Sequence, residues 1–374
     1  MQIERFDLER WQSIHEHTIE INLTESGVHP LRVRELIEPP GLDDLLEQEL
    51  AYTQTNGTEA LRARIAALYE GASSSQVLVT NGGSEANFIC CWRLLEPGDE
   101  VVSIQPNYMQ IPGLARAFGA TVREVWLNPG ERRWTLDLAA VRTAVTDRTR
   151  LIAVCNPNNP TGSRLTEEDV GGLCALADER GCWLLADEIY RGAELDGWET
   201  ASAWGRHDRV IVTGGLSKVY GLPGLRLGWV SGPTAFINEL WGRRDYTSIA
   251  PGAISDLLAR TALAPSRRNQ LVARARRILR ENQSVVASWV AEQPGVHQVP
   301  PEAGGVTLIR YAGTRKSSEL AEALRTQHGL LIVPGAHFKL EGYLRLGIGG
   351  EPESLARGLK RLGSVLAPQP GRSL

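Results

Sequence analysis

The chain has 374 residues, 42% of them hydrophobic and 22% charged, a composition that excludes disordered and low-complexity classes. Its 40 Lys and Arg offset 44 Asp and Glu to a net charge of −4. That balance argues against a nucleic-acid or membrane surface and leaves small molecules as the expected partners.

A single core tends to stop growing near ~250–300 residues, so two domains are expected. The N-terminus, MQIERFDLERWQ, is charged where a secretory leader would be apolar, and no run approaches the ~18 apolar residues of a membrane span. The expected location is therefore the cytoplasm. The first 46 residues contain the turn-like stretches TESGVHP (24–30) and PPG (39–41) and no sheet pattern of their own. From about residue 60 to 230, short apolar runs alternate with amphipathic stretches, among them EVVSI (100–104), LIAVC (151–155), CWLLAD (182–187) and RVIVTG (209–214). This alternation predicts an α/β fold with a mostly parallel sheet covered by helices on both faces. Thr166 followed by Glu167, Glu168 and Asp169 reads as a capping box opening one of those helices.

After Pro265 an Arg-rich helical stretch runs through Ala287, and the shorter runs VTLIRY (306–311) and YLRLGIG (343–349) follow. The expected division is 1–46, an N-terminal segment joining the small domain; 47–265, a large cofactor-binding domain; and 266–374, a small α+β domain. Five cysteines (Cys90, Cys91, Cys155, Cys174 and Cys182) have no CxxC pairing and lie mostly in apolar runs. They read as buried, inert thiols, and no metal site is expected.

The segment GLSKVYGLPGLRLG (215–228) places Lys218 just past an apolar strand, among glycines that admit a ligand close to the backbone, with Arg226 eight positions on. An amine that forms an imine needs a dry pocket and a cationic neighbour, and a phosphate suits a guanidinium fork. Taken alone, Lys218 reads equally as a solvated loop lysine. The segment, however, resembles the lysine signature of the class I/II aminotransferases, fold-type I enzymes dependent on pyridoxal 5′-phosphate (PLP). Three more stretches resemble motifs of that family, in its order: TNGGSEA (80–86), NPNNPTG (156–162) and DEIYRG (187–192).

The resemblance implies PLP bound as a Schiff base on Lys218 in a homodimer, with an amino acid and a 2-oxo acid as substrates. By the same resemblance Gly83, Ser84, Ser217 and Arg226 hold the phosphate. Asp187 pairs with the pyridine nitrogen, Tyr190 and Asn159 meet the phenolic oxygen, and Tyr108 stacks on the ring. Tyr52 reaches the phosphate of the neighbouring subunit, and Arg345 grips the substrate α-carboxylate. Several of these residues fit the chemistry independently. Gly83 and Ser84 stand where free helix N–H groups would receive an anion, although Ser84 reads equally as an ordinary N-cap. Asp187 would emerge at a strand's carboxyl end, and a buried carboxylate there needs a cation. An arginine amid apolar strand residues such as Arg345 calls for a bidentate anion. Gly215 stands where the family usually carries Ser or Thr, which shifts phosphate binding onto the other groups.

The cofactor alone does not decide the reaction. Transamination is the leading expectation. SGVH (26–29) and RRDYTSIAP (243–251) are similar to segments of capreomycidine synthase-like enzymes, PLP-dependent cyclases acting on a hydroxylated arginine. That similarity implies a second expectation, a cyclase, lyase or oxidase of an arginine-like amino acid. Glu25, Gly27 and His29 would then belong to a lid over the substrate side chain. His29 also reads as a plain solvated histidine.

Overall fold

A computed structural model describes residues 2–366. Seven strands build the main sheet: β1 (Val77–Thr80), β2 (Glu100–Gln105), β3 (Thr121–Trp126), β4 (Thr149–Cys155), β5 (Trp183–Asp187), β6 (Val210–Gly215) and β7 (Gly228–Ser231). Their order is β1-β7-β6-β5-β4-β2-β3. Only β7 runs antiparallel to its neighbours. The central strands β2, β4 and β6 are almost continuously buried, which is why they read as unbroken apolar runs and not as alternation.

A second sheet of four antiparallel strands, β8 (Val296–Gln298), β9 (Val306–Tyr311), β10 (Val333–Pro334) and β11 (Tyr343–Gly347), has the order β8-β9-β11-β10. The first 46 residues, expected to be turn-like and without a sheet pattern, carry four elements, among them the short helices Val33–Leu36 and Pro39–Leu46, the second of which takes in the PPG stretch. Asp7–His15 is a helix, α1, with Asp7 and Glu9 in its first turn and His15 in its last, charges that match the helix dipole. Ile21–Asn22 is a short strand parallel to Leu330–Leu331. Two residues are too few for a period to show in sequence.

Three more helices position the site. Helix α2 (Gly83–Leu94) follows β1, with Gly82 as N-cap at φ 86°, a conformation open to glycine. Helix α3 (Glu167–Arg180) carries the expected capping box. The Asp169 N–H donates to the Thr166 hydroxyl at 3.0 Å, and the Thr166 N–H donates to the Asp169 carboxylate at 2.8 Å. Helix α4 (Pro265–Glu292) starts at the proline and runs beyond Ala287. Its buried stripe Leu271, Ala275, Ile278, Leu279, Asn282 and Val286 keeps helical spacing. Asn282 Nδ2 donates to the carbonyls of Ile348 and Gly350, both at 2.8 Å. One amide therefore ties α4 to the chain leaving β11. Among the described residues no helix is long and apolar enough to cross a membrane. All five cysteines are free and buried.

Candidate active site

Five strands of the main sheet end at one cavity of about 310 Å³. Beyond β1 come Gly83 and Ser84, beyond β2 Tyr108, and beyond β4 Asn159. Asp187 is the last residue of β5, and Ser217 and Lys218 follow β6. Carboxyl ends of parallel strands are where open α/β sheets take ligands, because the chain leaves the sheet there and backbone groups become free.

Burial pulls the Lys218 amine below the ordinary lysine range; Arg345 and Arg226 add to the effect, whereas Glu25 and Glu9 oppose it. The neutral amine is the nucleophilic form. Asp187 is buried, and its carboxylate accepts from Asn87 Nδ2 at 3.0 Å and from the Ile189 N–H at 3.1 Å. Burial raises its pKa, and those hydrogen bonds hold it back. Asn87 Oδ1 in turn accepts from the Thr213 hydroxyl at 3.0 Å, so a relay from β6 through α2 sets the carboxylate's orientation. Both known partners of Asp187 are neutral, which leaves its negative charge for a cation in the cavity.

At the opposite pole, Arg226 packs over the start of α2. A Cβ on Gly82 would lie 2.5 Å from Arg226 Nη2, and one on Gly228 would lie 2.6 Å from the Gly83 nitrogen. The free N–H groups of a helix start, a guanidinium and two glycines that permit their approach form a cradle for a dianion. Gly215 also has a steric reason, since its Cβ would meet Ile189 Cδ1 at 3.0 Å and the Leu227 carbonyl at 3.1 Å.

Arg345 is only 1% exposed. Its Nη1 donates to Asn159 Oδ1 at 3.1 Å and its Nη2 to the Thr24 carbonyl at 2.5 Å, while Nε has no partner. Tyr190 is buried, and burial raises its hydroxyl pKa. Tyr108 donates from its hydroxyl to Glu9 Oε1 at 2.7 Å and packs its ring on Phe6 at 4.9 Å between centroids. Cys155 also lines the cavity, its thiol pushed up by burial.

The N-terminal segment threads through this region. Val28 donates its N–H to the Lys218 carbonyl at 3.1 Å, and a Cβ on Gly27 would sit 3.0 Å from Lys218 Cα. Glu25 lines the cavity. Three expected residues lie outside the lining: Gly27, which packs on the Lys218 backbone, His29 and Tyr52. His29, expected beside the substrate, is not among the lining residues; its backbone is bonded to Gly349 and Arg274, and its Nδ1 lies 3.5 Å from Glu351. Once Gly27 and Val28 pack on Lys218, the chain has turned away. Tyr52 is 85% exposed and also outside the lining.

Sequence reasoning missed Asn87, the α1 residues Glu9, Gln12 and Ser13, and the α1 C-cap Glu16, all of which line the cavity. Asn87 had a usable signal, standing four residues after Gly83 on the same helical face. Residues of α1 had none, because nothing local says where that helix docks.

Together these features suit PLP. The cradle matches its phosphate, Asp187 its pyridinium, and Lys218 its aldehyde carbon. A fold-type I PLP-dependent enzyme is the class they define. The chain belongs to the family of class I and II aminotransferases, which matches residues 43–362. It is similar to capreomycidine synthase of Streptomyces vinaceus, 33% identical over 96% of this chain and 93% of that one. It also resembles the arginine–pyruvate transaminase of Pseudomonas aeruginosa, 29% identical over 83% and 81%. Among solved structures, a PLP-dependent aminotransferase from Streptococcus suis superposes with a TM-score of 0.92 at 32% identity, covering 98% of both chains. The protein is thus an enzyme of the aminotransferase family with pyridoxal 5′-phosphate as cofactor.

Proposed function

We propose that the protein transfers the α-amino group of a free amino acid to a 2-oxo acid, with Lys218, Asp187 and Tyr190 as the catalytic residues. The observation that carries this reading is Arg345, buried in the cavity that Lys218 lines, with Nε unpartnered. A substrate carboxylate answers that vacancy. Arg345 binds the carboxylate and so orients the substrate Cα toward Lys218. Bound PLP supplies an electron sink for the charge that develops at that carbon. Asp187, held by Asn87, keeps a proton on the pyridine nitrogen. Tyr190 and Asn159 would donate to the phenolic oxygen, Tyr108 would cover the ring, and Ser84, Ser217 and Arg226 would hold the phosphate, all of them residues that line the cavity. The Lys218 amine, which burial favours in its neutral form, would remove the proton from the substrate Cα.

The site is proposed to be completed in a homodimer by the partner's Tyr52. Leu46, Leu50, Tyr52 and Tyr246 are each at least 80% exposed. The segments carrying them lie side by side, Thr53 Oγ1 donating to the Pro251 carbonyl at 3.0 Å and Trp241 Nε1 to Thr55 Oγ1 at 2.8 Å. Such an apolar surface suits a partner subunit. The domain division at 47 and 266 is proposed because residues 77–231 build one sheet and 296–347 the other, with Ile21 paired to Leu330. Five unpaired cysteines support a reducing compartment, the cytoplasm.

A second reading, cyclisation or oxidation of an arginine-like amino acid, draws support from the likeness to capreomycidine synthase and from Glu25 in the cavity. It differs only after the Cα proton has left. Product analysis with single amino acids separates the two readings. With an added 2-oxo acid as acceptor, a new 2-oxo acid formed in step with amination of that acceptor supports transamination, and a cyclic or oxidised product without acceptor consumption overturns it.

A further inference from the structure

Helix α1 turns a polar face to the cavity. Glu9, Gln12, Ser13 and its capping residue Glu16 stand at i, i+3, i+4 and i+7, one side of a helix, and all four line the cavity. The helix is docked firmly enough to hold that face in place. Leu8 is buried with Val333 and Phe338, Trp11 Nε1 donates to the Ile332 carbonyl at 2.9 Å, and Gln12 Nε2 donates to the Thr24 carbonyl at 3.1 Å. Glu25 enters the same cavity from the extended segment that follows.

The remaining charged lining groups are Asp187, Lys218, Arg226 and Arg345. Each has a counterpart in the reading above: the pyridine nitrogen, the covalent link, the phosphate and the α-carboxylate. Glu9, Glu16 and Glu25 have none. Glu9 accepts from the neutral Tyr108 hydroxyl, and Glu16 has only His17 at 3.5 Å, a surface side chain. Glu25 and Glu9 are also the two carboxylates whose field acts on both Lys218 and Arg345. Buried Arg345, with its free Nε, marks where the anionic end of a ligand sits. Once cofactor and α-carboxylate are bound, three carboxylates face whatever occupies the rest of the cavity.

Building on the aminotransferase reading, we propose that Glu9, Glu16 and Glu25 form the wall that reads the far end of the substrate, and that the amino acid taken carries a cationic group at the end of its side chain. A second carboxylate at that end would face like charge and be rejected. Citrulline matches arginine in length and hydrogen-bonding shape but has no charge, so the pair isolates the cation.

The test is the cofactor's absorbance change in single-turnover reactions of the holoenzyme with arginine, ornithine, citrulline and glutamate. The wild-type enzyme is expected to prefer arginine or ornithine to citrulline by at least about tenfold in kcat/KM, with glutamate weakest. Arginine rather than ornithine as the better substrate would identify a guanidinium site, and the reverse an amine site. In Glu9→Gln/Glu25→Gln, which keeps side-chain length and the acceptor for Tyr108, the preference should fall to within about threefold. Glu16→Gln should lower it in the same direction. As a readout independent of turnover, arginine should raise the Tm of the holoenzyme more than citrulline does, and the double variant should lose that difference. Equal use of arginine and citrulline by the wild-type enzyme, or a preference unmoved in the variants, overturns the acidic wall and leaves the aminotransferase reading standing. No absorbance change with any amino acid overturns both.

Discussion

Replacing Arg345 with Lys tests the carboxylate site most directly. The wild-type guanidinium is held by Asn159 Oδ1 at 3.1 Å and the Thr24 carbonyl at 2.5 Å, which leaves Nε, and the outer edges of the fork, for the ligand. Lysine keeps one positive charge, loses the fork, and cannot serve Asn159, Thr24 and a carboxylate together. One charge-assisted hydrogen bond of the bidentate pair is then lost, at about 1.5–3 kcal/mol, or roughly 10–150-fold in kcat/KM. The carboxylate is common to all amino acids and does not change during the reaction. The loss should therefore fall mainly on KM and be the same for every substrate. Initial rates across cationic, neutral and acidic amino acids measure it. A loss below about threefold, or one confined to a single side-chain class, would refute the assignment and place the α-carboxylate elsewhere.

Four further outcomes are expected. Lys218→Ala should abolish turnover and the borohydride-reducible attachment of PLP; an adduct on another lysine, found by peptide mapping, would sink the assignment. Asp187→Ala should retain PLP yet lose activity by at least about a thousandfold, since no other acid would hold the pyridine proton, and near-normal rates would contradict this. Mixing inactive Lys218→Ala chains with Tyr52→Ala chains should restore about a quarter of wild-type activity, because half of the dimers then contain one intact site; no gain on mixing would mean Tyr52 does not act across an interface. Glu188, pushed up to about 7 by burial, is favoured protonated in the folded chain. Its contribution to stability is full below the unfolded glutamate range, near pH 4, and is lost as pH rises through about 7. Denaturant titrations from pH 4.5 to 8 should show that decline flattened in Glu188→Gln, and parallel profiles would refute it.

The strand-end residues were readable from the chain because the information is local. An apolar run predicts a buried strand, and a side chain one to three residues past it leaves at the carboxyl edge of the sheet whatever the rest of the protein does. Asp187, one residue after CWLLA, Lys218, three residues past β6, and the cradle at Gly83, three residues past β1, follow that rule. The capping box at Thr166 is local in the same sense. Arg345 was legible for a different reason, the expense of an unpaired guanidinium among apolar strand neighbours.

Tertiary structure decided what depends on contacts between distant segments. Trp11 bonds to Ile332 and Arg345 to Thr24, each across 321 positions of sequence. Such contacts, with the packing of Leu8 on Val333 and Phe338 and the pairing of Ile21 with Leu330, bring α1 and Glu25 to the cavity. They also separate Glu25 from His29, four residues later, because Gly27 packs on Lys218 and the chain then follows Gly349. Amphipathic pattern records which face of a segment avoids water. It does not record which surface that face will meet. The amino-acid sequence by itself thus determined the sheet, the cofactor and which side chains stand at the strand ends around the cavity. The wall that meets the substrate depended on where a short N-terminal helix docks, and docking is set by shape and packing across the whole fold.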